Sequence, residues 1–364
     1  MTSVNISFRD MNQILPYYRV FLLPMSVLFG AYYGGAAGAS AIVLTFVILP
    51  VLELVLPRDT KNLSAEEYDV LEQNIGFRFL TWLWVPVQLA TMVVAIAAAA
   101  APGVPGIERA VMVLSLGILT GGIGITVSHE LMHRAGRAER VLGDVLLCSV
   151  LYMHFRIEHV RGHHRNVATP DDPATARLGE SFYRFLPRVL WHSWISAWKL
   201  EAKRMRNRGR SVLHYSNLMI AYTVLQLALC AAVALCFGST VLWVFCAQAA
   251  VAFIILELVD YIEHYGLQRR ALAEGRYERV TEEHSWESTA RFTNYMLFKL
   301  QRHSDHHIHP GKRYQELLYT AGSPQMPTGY AGMVALALVP PLFRRIMHPR
   351  LAQYQSLRAA SSGS

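Results

Sequence analysis

The stretch VMVLSLGILTGGIGITVSHELMHR, residues 111–134, decides how the rest of the chain is read. It opens with eighteen residues that carry no charge. About 20 helical residues cross a hydrocarbon core of about 30 Å, so the apolar run 110–127 reads as a membrane span. The run then delivers His129-Glu130-Leu131-Met132-His133 at its end. Histidines four residues apart lie on one helical face, so both imidazoles can reach one metal ion.

Working outward, five more apolar runs of similar length lie at 21–37, 39–56, 79–99, 218–237 and 241–261. The composition agrees, with 53% hydrophobic and only 16% charged residues. The expected fold is an all-α integral membrane bundle of six transmembrane helices, capped by helical segments 134–217 and 262–351. Residues 1–351 read as one membrane-embedded domain, and 352–364, which end in small and polar residues, as a disordered tail. Two shorter apolar patches, 141–153 and 334–343, fit buried or interfacial helices. Residues 193–210 place tryptophans on one side and Lys/Arg on another, as in a helix lying on an anionic leaflet or packed on the cap.

A net charge of +8 raises the question of nucleic acid, which the distribution of the charge answers. Residues 134–210 hold fifteen Lys/Arg against seven Asp/Glu, whereas linkers 34–39 and 100–108 hold no basic residue. That asymmetry is the positive-inside pattern of a protein in a lipid bilayer. It places the 134–217 segment, both termini and everything after the sixth span in the cytoplasm, and no nucleic acid is needed to explain it. The four cysteines have no C-x-x-C spacing, so no iron domain of the rubredoxin kind is fused to the chain.

Nine of the fifteen histidines fall into four groups. Beyond His129 and His133 these are His159, His163 and His164 in E-H-V-R-G-H-H, His264 in Y-I-E-H-Y-G, and His303, His306 and His307 in H-S-D-H-H. An even number of spans separates the second group from the third, so all four emerge on one side of the membrane. The H-E-x-x-H string by itself also matches a membrane zinc protease with Glu130 as general base, but such a site leaves seven histidines unexplained. A transporter would carry ionisable residues near mid-membrane, where these spans have almost none. Nine imidazoles suit two metals, and imidazole-rich sites with open positions suit iron that binds O₂.

Taken together, H-E-L-M-H at 129–133, E-H-V-R-G-H-H at 158–164 with V-A-T-P-D-D-P-A at 167–174, Y-I-E-H-Y-G-L at 261–267, L-Q-R-H-S-D-H-H at 300–307 and P-T-G-Y at 327–330 resemble the membrane alkane 1-monooxygenases. Those enzymes belong to the wider fatty-acid-desaturase-like histidine-box superfamily. Met132 and Arg134 depart from the alkane pattern and resemble the alkyl-aromatic, xylene-type monooxygenases instead. The resemblance implies a non-haem di-iron centre of two Fe ions held by the nine histidines. Glu130, Glu158, Glu263 and Asp305 would be carboxylates orienting the ligands. It further implies O₂-dependent hydroxylation of alkane ends to primary alcohols in a bacterial inner membrane, with rubredoxin or ferredoxin as a separate electron donor. The alternatives are methyl hydroxylation of xylene-type substrates and fatty acyl desaturation. Leu54 is a candidate channel residue by rough correspondence.

Overall fold

The computed structural model describes residues 13–362, and its regular structure is helical apart from two isolated β-bridges, Ala271–Tyr277 and Glu287–Gln325. Among the described residues five helices are long and apolar enough to cross a membrane, not the six expected. The expected first span, 21–37, is the exception. A 3₁₀ turn, Leu15–Phe21, leads into a 12-residue helix α1, Leu22–Tyr33, which stops at Gly34. Gly34 and Gly35 have φ of 65° and 52°, a left-handed conformation that reverses the chain into the next helix.

The five long helices are α2 (Gly35–Val55), α3 (Ile75–Ala100), α4 (Gly106–Met132), α6 (Leu218–Phe237) and α7 (Ser239–His264). Between α4 and α6 lie Arg137–Ser149, the histidine-bearing segment 155–166 and α5, Phe182–Asn207. After α7 come short helices Arg291–Met296 and His303–Ile308, then α8 (Tyr330–Ala337) and α9 (Pro340–Ser362). α9 runs through most of the expected tail. Leu351, just before that stretch, is buried, and within it Tyr354 donates to the Gly322 carbonyl at 3.0 Å.

The outward faces of the long helices are apolar and exposed, as at Val93, Val224, Leu227 and Leu235. With no water in a bilayer, helices are held together by close packing and interhelical hydrogen bonds. Here Thr120 on α4 donates to Gln248 on α7 at 2.9 Å, and Gln248 Nε2 donates to the Ser149 carbonyl at 3.0 Å. Trp84 on α3 donates to Gln88 at 2.8 Å, and Gln88 reaches Ser149 Oγ at 3.3 Å. One polar network thus ties α3, α4, α7 and Arg137–Ser149 together. It seats the His129 end of α4 beside the His264 end of α7.

On α5, Phe182, Phe185, Val189, Ser193, Ala197, Glu201 and Met205 form a buried stripe, while Trp191 and Trp194 are exposed and stack on each other. The four cysteines are free thiols. Leu54 is 82% exposed and faces outward rather than into the apolar cavity described below.

Candidate metal centre

The local sequence folds each histidine group into a short helical stretch that aims its rings at one point. His129 and His133 lie one helical turn apart at the end of α4, and His264 is the last residue of α7. Residues 159–163 form a π-turn, which widens the helix so that the side chain five residues on, rather than four, comes round to the same face. Gly162 permits that turn. A Cβ there would lie 2.4 Å from the Glu158 carboxylate folded over it.

All nine imidazoles converge, in two sets. His129, His133, His159, His164 and His306 form one, and His163, His264, His303 and His307 the other; within each, the ligand nitrogens lie within 4.8 Å of one another. The sets are adjacent, with the His164 and His307 rings 4.7 Å apart. His159 and His163, four residues apart, fall in different sets. The π-turn pairs His159 with His164, their Nε2 atoms 3.0 Å apart, and turns His163 to the other set, 3.2 Å from His307 Nε2.

A metal ion fits both sets. Closest Nε2 separations are 3.0 and 3.1 Å in the five-membered set and 2.9 to 3.2 Å in the four-membered one. Ligands at right angles around one ion, each about 2.1 Å away, are about 3.0 Å apart. The buried Nε2 atoms of His129 and His133 have no hydrogen-bond partner within the protein. Protons are poor substitutes for a metal cation here. Burial, with neighbouring imidazoles adding to it, holds His133, His159, His164, His303, His306 and His307 well below the usual histidine range.

The four expected carboxylates have different surroundings. Glu263 Oε2 lies 3.2 Å from His303 Nε2, on the nitrogen that faces the set, and Glu263 Oε1 accepts from the Tyr330 hydroxyl at 2.5 Å. Glu130 instead pairs with Arg134 at 3.5 Å, and Glu158 accepts from Ser196 at 3.4 Å. Asp305 accepts from His309 at 2.8 Å and Lys312 at 3.0 Å. These three carboxylates bond to groups around the site rather than to its imidazoles. Arg134 is a clamp: it donates to the carbonyls of Glu130, Gly311 and Lys312.

The carboxylate that sequence reasoning missed is Asp172. It accepts from His163 Nδ1 at 3.0 Å, from Thr175 at 2.6 Å and from the Ala174 amide at 3.1 Å. Burial alone would raise the Asp172 carboxyl, yet His163 and the hydrogen bonds hold it below the usual aspartate range. The V-A-T-P-D-D-P-A string contained it, but nothing local distinguishes Asp172 from Asp171. His264 Nδ1 donates to the His284 carbonyl at 3.3 Å. The histidines not expected as ligands, His154, His192, His214, His284, His309 and His348, belong to neither set.

An apolar cavity ends on both sets. His129 and His159 of one and His303 of the other line it, and its walls include Leu23, Phe46, Leu49, Met296, Leu297 and Ala331. This arrangement can bring a hydrocarbon to two metals at once, which a zinc protease site has no use for.

Comparison with known proteins agrees with the geometry. Residues 105–337 match the fatty acid desaturase family model. Alkane 1-monooxygenase 2 of Pseudomonas aeruginosa is 42% identical over 327 residues, covering 89% of this chain and 87% of that protein. Alkane 1-monooxygenase 1 of the same species is 43% identical over 319 residues, covering 86% and 83%. The xylene/toluene monooxygenase hydroxylase component of Pseudomonas putida is 30% identical over 354 residues, covering 96% and 92%. With its nine histidines in two sets at the end of an apolar cavity, the chain belongs to the alkane 1-monooxygenases, within the fatty acid desaturase family.

Proposed function

We propose that this protein hydroxylates the terminal carbon of alkane chains to primary alcohols, using O₂, a non-haem di-iron centre and electrons from a separate rubredoxin or ferredoxin. The observation that carries the reading is the apolar cavity ending on histidines of both sets. Identity to the two Pseudomonas aeruginosa enzymes, at 42% and 43%, against 30% to the xylene/toluene component, favours an alkane over a methyl-aromatic substrate.

His129, His133, His159, His164 and His306 would hold one iron, and His163, His264, His303 and His307 the other. When bound, the two irons supply the reductive activation of O₂ and the oxidising power for an unactivated C–H bond. The protein's own residues position and exclude. Met296, Leu297 and Leu300 wall the cavity that His303 also lines, holding a chain end against the site and keeping water out. Asp172 fixes the His163 ring, and the Tyr330–Glu263 hydrogen bond can hold a proton beside His303.

The positive-inside pattern supports a bacterial inner-membrane protein with the site and both termini on the cytoplasmic side. Six traverses fit if α1 crosses together with the 3₁₀ turn before it. Twelve α-helical and seven 3₁₀ residues extend about 18 Å and about 14 Å. A basic cytoplasmic surface suits a small acidic electron donor.

The test is product analysis by gas chromatography and mass spectrometry. Cells expressing the protein with a rubredoxin and its reductase are fed n-alkanes, p-xylene and a fatty acid, beside a His129→Ala control. Terminal alcohol from alkanes, absent in the control, is the expected result. Benzylic alcohol or an unsaturated acyl product alone would overturn the alkane assignment.

A further inference from the structure

The hydroxylation reading leaves one neighbouring feature unused. Beside the apolar cavity lies a polar pocket of about 180 Å³ whose lining includes Glu53, Arg58, Ser288, Thr289, Arg291 and Thr328. Arg58 and Arg291 are exposed at it. A thin wall separates the two spaces. Thr293 lines the apolar cavity and its hydroxyl donates to Glu53, which lines the polar pocket; the Gly329 amide donates to the same carboxylate at 3.2 Å.

Polar groups lead from the metal-binding histidines to that wall. Glu263 lies 3.2 Å from His303 Nε2 and accepts from the Tyr330 hydroxyl. The Tyr330 amide donates to Gln301 Oε1 at 3.0 Å, and Gln301 Nε2 donates to Thr293 Oγ1 at 2.9 Å. His303, Glu263, Tyr330 and Thr293 all line the cavity, so its largely apolar surface has a polar edge running from the site to Glu53.

An alkane has nothing to offer that edge, whereas its product does. A hydroxyl buried without a partner is unfavourable, and one that can move from acceptor to acceptor has a way out. We propose that the pocket beyond Glu53 is the release site for the hydroxyl end of the primary alcohol. The alcohol displaces the Thr293 hydroxyl as donor to Glu53 and passes to the side of Arg58 and Arg291. A hydrocarbon cannot make that exchange and meets a closed wall. This inference rests on the hydroxylation reading.

The experiment compares first-turnover and steady-state alcohol formation, by rapid quench and mass spectrometry, in the full chain in lipid nanodiscs with its electron donor. Inhibition by added 1-alkanol is measured alongside. Glu53→Leu should leave the first turnover intact, slow later turnovers about ten-fold and tighten 1-alkanol inhibition by about the same factor. Glu53→Gln, which keeps an acceptor, should restore most of the release. Arg58→Trp, at an exposed position on the far side of the wall, should retain product in the same way and decides the matter if Glu53→Leu does not fold. Wild-type turnover and inhibition in Arg58→Trp, with Glu53→Leu either unaffected or losing its first turnover as well, would overturn the release site. If the wild type forms no alcohol in its first turnover, the hydroxylation reading fails and this inference with it.

Discussion

His159 and His163 sit four residues apart on one helical stretch, yet their imidazoles belong to different metal sets. The π-turn between them directs His159 towards His164, at 3.0 Å, and His163 towards Asp172 and His307. One short segment therefore supplies both sets, and substitutions within it are expected to have unequal effects.

His307→Ala leaves three imidazoles in its set, whereas His164→Ala leaves four in the other. Bound iron should fall from about two to about one per chain in His307→Ala, while His164→Ala should keep closer to two with one altered spectroscopic site. Iron analysis with Mössbauer spectroscopy checks this. Equal loss in both variants would mean that the two sets are not independent.

Asp172 is 2% exposed and accepts from His163 Nδ1. Asp172→Asn should still fold, since the amide oxygen can accept from Thr175, but it loses the charge that favours the Nδ1–H tautomer of His163. Metal affinity should drop by about 10–100-fold, read by chelator competition on the purified protein. Iron retention equal to the wild type would remove Asp172 from the site's design.

Burial pushes the Glu287 carboxyl up to about 8, with one oxygen left unpartnered. A carboxyl raised in the folded state is favoured protonated. Its contribution is therefore present at low pH and is lost as pH rises from the ordinary glutamate range through about 8. Buried Lys299, lowered to about 7, contributes with the opposite slope above that pH. The difference between wild type and Glu287→Gln isolates the glutamate. The variant should gain in relative thermal stability as pH rises from 6 to 9 (about 1.4 kcal/mol accompanies each unit of pKa shift). A pH-independent difference in melting temperature would count against this account.

Ala331 lines the apolar cavity and is 8% exposed. Ala331→Phe would fill part of the space available to a chain, so longer alkanes should lose more than shorter ones. One misfitted methylene is worth about 1–3 kcal/mol, or about 10–200-fold in kcat/KM. A series of n-alkanes assayed in membranes for kcat/KM measures the shift. A uniform loss at all lengths would indicate general damage instead.

Read alone, the sequence determined the helical membrane character, the nine histidines and their four groups, because hydrophobic run length and i, i+4 spacing are local properties. Five of six expected spans appear, with shifted ends. The first appears as a 3₁₀ turn and a 12-residue helix rather than one long helix, and the turn at Gly34 that ends it is a matter of backbone conformation within an unbroken apolar run. Which histidine joins which set depends on a π-turn made possible where Gly162 meets Glu158, and no regular period announces it. Asp172 differs from Asp171 only in what faces it. The wall between Glu53 and Thr293 joins residues 240 positions apart. Those decisions belong to the tertiary structure, since each needs groups from distant segments to meet in a low-dielectric interior where unpaired polar atoms are costly.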